Sequence, residues 1–240
     1  MNPRLLDLGD GALTLEFGDG IDAGLNARVM ATRDALAAAR PAGLIDIVPT
    51  WRSLTVHFDP LRLDRDALSA QLRELAGAPP QESAPAARWL IPVSFGGTAG
   101  PDLAQVAHDT GRREAEIVDA VCATEFRVFL IGFLPGFPYL GELPDWLHLP
   151  RRATPRVEVP ANSLAIAGAQ AAIYPWPSPG GWHLLGRTPV RLFDAADAAR
   201  PALLAPGDRV RFTAVGDDEF DRLAAAVAAG ELGAGDWRVP

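Results

Sequence analysis

Apolar and polar residues alternate through ALTLEF, Ala12 to Phe17, as they do in a strand with one face covered. Behind it Leu25, Val29 and Leu36 recur at helical spacing between Asp22 and Ala39, with Asp22 as N-cap and Pro41 and Gly43 as stops. LIDIVPT and SLTVHF read as two strands joined through Pro49 to Arg52. DRDALSAQLRELAG reads as a helix starting near Asp64 and stopped by Gly77. The order strand, strand, helix, strand, strand, helix predicts a compact α+β module with its helices on one face of an antiparallel sheet.

Periodicity then stops. GAPPQESAPAA, Gly77 to Ala87, is rich in proline and small residues and predicts a linker. The boundaries expected are a first domain over 1–80, a linker over 81–87 and a second domain over 88–240. The second part opens with the strand RWLIPVSF. Two short helices follow, one capped near GPDL and one in RREAEIVDAVC. From Phe126 the pattern changes to short strands between Gly/Pro turns: FRVFLIGF, SLAIAG, AAIYP, GWHLLG, PVRLF and DRVRFTAV. Such spacing predicts a β-barrel or sandwich, and DDEFDRLAAAVAAG a terminal helix. In FLIGFLPGFPYLGELP, Phe129 to Phe133 reads as a core strand. LPGFPYLG reads as a stiff loop carrying Phe137 and Tyr139 to a pocket rim or subunit contact, its prolines limiting the entropy lost on ordering.

Charge and composition narrow the chemistry. A net charge of −8 argues against a nucleic-acid surface. No apolar run approaches the roughly 18 residues of a membrane helix, and the N-terminus has no signal-peptide core, so a cytoplasmic location is expected. The single cysteine, Cys122, excludes an intrachain disulfide and sits at helical apolar spacing, as core packing would place it. All 22 basic residues are arginine, which removes the Walker A, Schiff-base and kinase-type lysines. His57, His108, His148 and His183 show no metal-ligand spacing, so no metal site is expected, and no G-x-S-x-G elbow occurs.

Candidate chemistry concentrates between Pro150 and Pro189. Arg156 and Arg187 can grip a carboxylate or phosphate bidentately. Gly180 and Gly181 can bring backbone N–H groups against an anion, and Gln170 adds a polar contact. For proton transfer the candidates are Glu158 and His183. Glu158 reads equally as an ion-pair partner of Arg156, and His183 as a surface strand residue.

The ordered segments IPVSFGGTAGPDLAQVA, FLIGFLPGFPYLG, PRRATPRVEVP, SLAIAGAQAAIYP and PGGWHLLGRTP closely resemble the family of 5-oxoprolinase B subunits. That family is also described as allophanate hydrolase subunit 1 and includes an inhibitor of a sporulation histidine kinase. The likeness runs from LGDGALTLEF to PGDRVRF. It implies a small N-terminal α/β sandwich domain followed by a cyclophilin-like β-barrel domain. It also implies a cytoplasmic heteromeric enzyme that opens the lactam of 5-oxo-L-proline to L-glutamate as ATP is hydrolysed to ADP and phosphate, with the C and A subunits as partners. With no lysine and no P-loop, ATP is expected to bind mainly through a partner or across an interface. Two other functions stay open: a binding protein that inhibits a histidine kinase, and a carboxyltransferase-like subunit of a biotin-dependent urea or allophanate system. Two positions depart from the family pattern. Val121 stands where a histidine is common, and Asn162 where a glycine is usual, a milder change because Asn tolerates positive φ.

Overall fold

The computed structural model describes residues 3–78 and 86–240. Residues 81–85 of the expected linker therefore lie outside the described residues. Two compact units are present, Met1–Pro85 and Ala86–Pro240.

In the first unit, β1 (Arg4–Asp7), β2 (Ala12–Glu16), α1 (Ala23–Ala39), β3 (Leu44–Pro49), β4 (Ser53–Phe58) and α2 (Arg65–Gly77) follow one another. The strands form an antiparallel sheet in the order β1-β2-β4-β3. Alternation decides which face is covered. Leu13 and Leu15 of β2 lie opposite Val56 and Leu54 of β4, and all four are buried with Val29 and Leu36 of α1 and Leu68 and Leu72 of α2. Each such side chain contributes about 1.5–3 kcal/mol of burial. Asp22 and Asp64 cap the two helices by accepting hydrogen bonds from Leu25 N and Ala67 N at 2.9 and 2.8 Å.

The second unit runs β5 (Arg88–Phe95), α3 (Leu103–Thr110), α4 (Glu114–Ala123), β6 (Phe126–Ile131), β7 (Pro138–Gly141), β8 (Arg156–Val159), β9 (Ser163–Ala167), β10 (Gln170–Tyr174), β11 (Ser178–Gly180), β12 (His183–Arg187), β13 (Arg209–Ala214), α5 (Asp217–Ala228) and β14 (Arg238–Val239). Seven strands close a barrel in the order β12-β9-β10-β7-β6-β13-β5, with β12 pairing back onto β5 through Gly186 and Arg187. The short strand β14 pairs with the start of β5. Strands β8 and β11 form a separate two-stranded ribbon.

A second apolar cluster explains why LAIA and AAIY run without polar interruption. Leu164, Ile166, Ala171 and Ile173 belong to the main core cluster. Their neighbours Ala165, Ala167, Ala172 and Tyr174 pack in a second cluster with Val159, Trp182 and Phe137. Both faces of β9 and β10 are therefore covered, and alternation has no reason to appear.

Three expectations change here. LPGFPYLG is not one loop, because Pro138 to Gly141 pair with both β6 and β10. Phe137 is 1% exposed at the centre of the second cluster, with ring contacts to Phe133, Tyr139, Tyr174 and Trp182, so it is core rather than rim. Tyr139 is half-buried, while Phe133, with φ +70, is the exposed aromatic of the turn at 61%. Finally, PVRLF forms no strand. Pro189 has no N–H, and the Val190 N–H is taken by the Thr188 hydroxyl. Only Phe193 makes an isolated bridge, to Ala202.

Val121 lies in the apolar core of this unit with Ile117 and Phe126. Its place on α4 accounts for a hydrophobic residue there without any base. Asn162 has φ +62, the left-handed conformation that its side chain tolerates.

Candidate functional site

FGGTAGPD builds the centre of the site. Gly96 and Gly97 turn the chain with φ +73 and +51. The loop then presses onto β12: Gly96 N donates to Leu185 O and Asp102 N to Leu184 O, at 3.0 and 3.1 Å. A Cβ on Gly100 would lie 1.9 Å from Leu185 O, so only glycine permits this approach. Asp102 is thereby placed under β12. It occupies the N-cap position of α3, as GPDL predicted, but makes no side-chain cap bond.

Its carboxylate is committed elsewhere. Arg152 Nη1 and Arg156 Nη2 both donate to Oδ1 at 2.7 Å, and Leu184 N donates to Oδ2 at 2.8 Å. Asp102 is 4% exposed. Burial pushes its pKa up, but the Arg156 hydrogen bond, the Leu184 N–H and the charges of Arg156 and Arg152 outweigh this, leaving it below the ordinary carboxylate value. Two guanidinium groups around one carboxylate leave a surplus positive charge.

Four unused polar atoms fall in the same part of the chain. Arg152 Nε, Arg156 Nη1, Ser178 Oγ and His183 Nδ1 are buried with no hydrogen-bond partner among the described residues. His183 is 8% exposed, not a surface residue, and its Nε2 lies 2.9 Å from Pro150 O. A carbonyl only accepts, so Nε2 carries a proton, and in the neutral tautomer that this selects Nδ1 presents a lone pair. The arrangement thus has donors suited to an anionic oxygen and one nitrogen able to take a proton.

The ribbon gathers several predicted residues. Gly180 pairs with Arg156, and Gly181 O accepts from Arg152 N at 2.8 Å. A Cβ on Gly180 would meet Tyr174 Oη at 2.5 Å and Val159 Cγ2 at 2.9 Å, so close packing already requires this glycine. Burial pushes the Tyr174 phenol up to about 12, with Tyr139 adding to it. Glu158 is exposed on β8 and is not the partner of Arg156, whose carboxylate is Asp102. Gln170 starts β10 opposite Ala167 and stands apart from the arginine pair in the ladder.

Arg187 lies at the far end of β12, roughly 13 Å from His183 at the ordinary strand rise. It lines a different cleft of about 740 Å³, with Asn162, Trp176, Phe193, Phe220 and Val227 among its walls. Asp102 was the residue missed from sequence. A Gly-Pro-Asp step before a helix reads as a cap, and nothing local reveals partners 50 and 54 residues away.

Among the described residues, no group of three or more His, Cys, Asp or Glu is placed to hold a metal, and no helix is long and apolar enough to cross a membrane.

A family model described as carboxyltransferase domain, subdomain C and D, matches residues 3–204. The 5-oxoprolinase B subunit of Escherichia coli O157:H7 is 40% identical over 85% of this chain and 93% of its own length. The chain belongs to the family of 5-oxoprolinase B subunits. Among solved structures, TTHA0988 is 41% identical with a TM-score of 0.76 over 85% of this chain. The chain spans 40% of that longer protein. The Kluyveromyces lactis urea amidolyase superimposes over 96% of this chain and 16% of its own, at 19% identity and a TM-score of 0.81, which shows a shared fold. For this member of the 5-oxoprolinase family the fold expected from sequence, a small α/β domain and a cyclophilin-like barrel, is the fold found.

Proposed function

We propose that this chain is the B subunit of an ATP-dependent 5-oxoprolinase, hydrolysing the lactam of 5-oxo-L-proline to L-glutamate with release of ADP and phosphate. The observation that carries the reading is the 40% identity with a 5-oxoprolinase B subunit along nearly its whole length. The A and C subunits are its partners on this reading, and residues 1–80 and 88–240 act as its two domains. ATP binds through a partner or across an interface. Support for that comes from the chain itself, which has no lysine for a phosphate loop.

The Arg152–Asp102–Arg156 group suits such chemistry. A lactam gains negative charge on its oxygen as water adds, and preorganised N–H donors stabilise that charge. His183 Nδ1 is the group able to accept the proton of the attacking water.

The test is reconstitution. The three subunits, co-purified, are expected to release glutamate only when both ATP and 5-oxo-L-proline are supplied. A stable complex that releases none would overturn the proposal. The description of the matched family model favours a second reading, carboxyl transfer in a biotin-dependent system. The same complex offered a carboxybiotinyl carrier and urea separates the two.

A further inference from the structure

We infer that the outer barrel face carrying Arg88, Arg127, Arg209 and Arg211 is a docking surface for a partner protein whose matching face bears carboxylates, and, resting on the function proposed above, that this partner is another subunit of the complex. Register brings the arginines together. Arg209 on β13 lies directly opposite Arg127 on β6 and beside Arg88 on β5. The same row continues to Val239 of β14, which pairs with Arg88, and to Gly141 of β7, which pairs with Arg127. It crosses five strands, about 19 Å at the ordinary strand spacing, with three arginines side by side. Arg211 and Leu90, paired with each other, extend the same face two residues further along, while Val210 between Arg209 and Arg211 belongs to the core.

Like charges opposite one another in a ladder are destabilising, and the chain compensates only part of this. Glu142 accepts from Arg209 at 3.0 Å, reaching it from a left-handed backbone with φ +74, and Glu125 accepts from Arg88 at 2.7 Å. Arg127 and Arg211 have no ion-pair partner among the described residues. Arg127 is half-buried against the Phe129 ring, with its Nε enclosed and without a hydrogen-bond partner among those residues. Burial and then the charge of Arg209 push its pKa down, and Glu142, whose charge also reaches it, is bonded to Arg209 instead. Four arginines against two glutamates leave two positive charges on this face, in a chain whose net charge is −8. Leu90 and Val239, 40% and 37% exposed, lie among them, so the surface mixes arginine with aliphatic side chains. An open row of this width suits a protein face that sets several carboxylates against it at once better than a single small anion. Arg127 has already given up hydration in the free chain, so covering it costs less than covering a solvated arginine.

The test pairs the stability of the free chain with its assembly. Arg127→Met removes an uncompensated charge and keeps an unbranched apolar stem, so the free chain should melt at or above the wild-type Tm. A clearly lower Tm would mean that the guanidinium serves the fold, and would overturn the inference. Binding of the full chain to the A and C subunits is then followed by interferometry at about 0.01 and 0.15 M salt. Arg127→Met should weaken it about thirtyfold or more, as truncating one member of a buried interfacial charge pair does. Arg211→Glu should slow association and flatten its salt dependence, whereas Arg73→Glu, the same charge change on an exposed position of α2, should leave it unaltered. Wild-type binding that neither Arg127→Met nor Arg211→Glu moves, or that Arg73→Glu moves as far, overturns the assignment and leaves the enzyme reading standing. A complex that assembles through this face and releases no glutamate supports the docking surface and counts against the enzyme reading. A wild-type chain that binds neither subunit overturns both. One that sediments as a dimer of itself, split by Arg211→Glu, overturns the choice of partner.

Discussion

Replacing Asp102 by Asn keeps the shape of the side chain and removes its charge. The carboxylate oxygens receive three hydrogen bonds, two from guanidinium groups and one from a backbone N–H. Asn supplies one oxygen and one NH₂. If its oxygen faces the arginines, the NH₂ faces the Leu184 N–H, and the flipped amide sets the NH₂ against two cations. Either orientation leaves a buried donor unpaired, at about 1–3 kcal/mol. Arg152 and Arg156, with side chains 31% and 22% exposed, also lose their counter-charge. Breaking a buried pair by removing one partner costs about 3–5 kcal/mol in all. For a unit of this size that is a fall in Tm on the order of 10 °C. Tryptophan fluorescence during thermal and urea unfolding reads it selectively, since five of the six tryptophans lie in the second unit. The pH dependence has a definite sign. Asp102 has a depressed pKa in the folded chain, so its stabilisation is present above the ordinary carboxylate value near 4 and is lost as pH falls through the folded value. The gap between wild type and Asp102→Asn should therefore narrow below about pH 4. A triple variant, Asp102→Leu with Arg152→Met and Arg156→Met, should be more stable than Asp102→Asn. A cost for Asp102→Asn below about 1 kcal/mol at pH 7, or a gap that widens in acid, would refute the reasoning.

Further outcomes follow from the same geometry. Gly100→Ala drives a Cβ into the Leu185 carbonyl and should cost about 3 kcal/mol or more in a denaturant titration, whereas Gly77→Ala meets no atom within 4 Å and should be neutral or slightly stabilising. Phe137→Ala should destabilise the second unit by about 3–5 kcal/mol, with Phe133→Ala within about 0.5 kcal/mol of wild type; equal costs would contradict the burial assignment. Both tyrosines are held in the neutral form by burial, Tyr174 up to about 12. An unfolded phenol ionises near 10, so stability should fall as pH rises from about 10 towards 12. Absorbance at 295 nm should then show phenolate appearing only with loss of near-ultraviolet dichroism, and an independent midpoint near 10 in folded protein would contradict this. Cys122, its thiol pushed up by burial, should react with a disulfide reagent more slowly than a free thiol at pH 8.

Local pattern carried much of the architecture. Alternation in β2 and β4, the helical spacing of α1 and the aspartate caps of α1 and α2 depend on neighbours a few residues away, so they were legible. The strands β7, β8 and β11 were not. They are short, contain Gly or Pro or, like β8, are flanked by prolines, and exist because a distant partner offers a ladder. Phe137 was misplaced for the same reason: a proline-rich turn looks exposed until Tyr174 and Trp182 are known to close over it.

The sequence alone determined that every basic side chain apart from histidine is an arginine, that the two halves differ in class, and that Arg156, Gly180, Gly181 and His183 share one segment. Residue type and order suffice for those statements. Only tertiary structure decided that Asp102 binds Arg152 and Arg156, that Glu158 stays exposed, and that Arg187 belongs to a separate cleft with Asn162 and Trp176. The physical reason is barrel closure. When β12 pairs back onto β5 it seats the Gly96–Asp102 loop beneath Leu184, and it directs Arg187, at the other end of the same strand, into different surroundings.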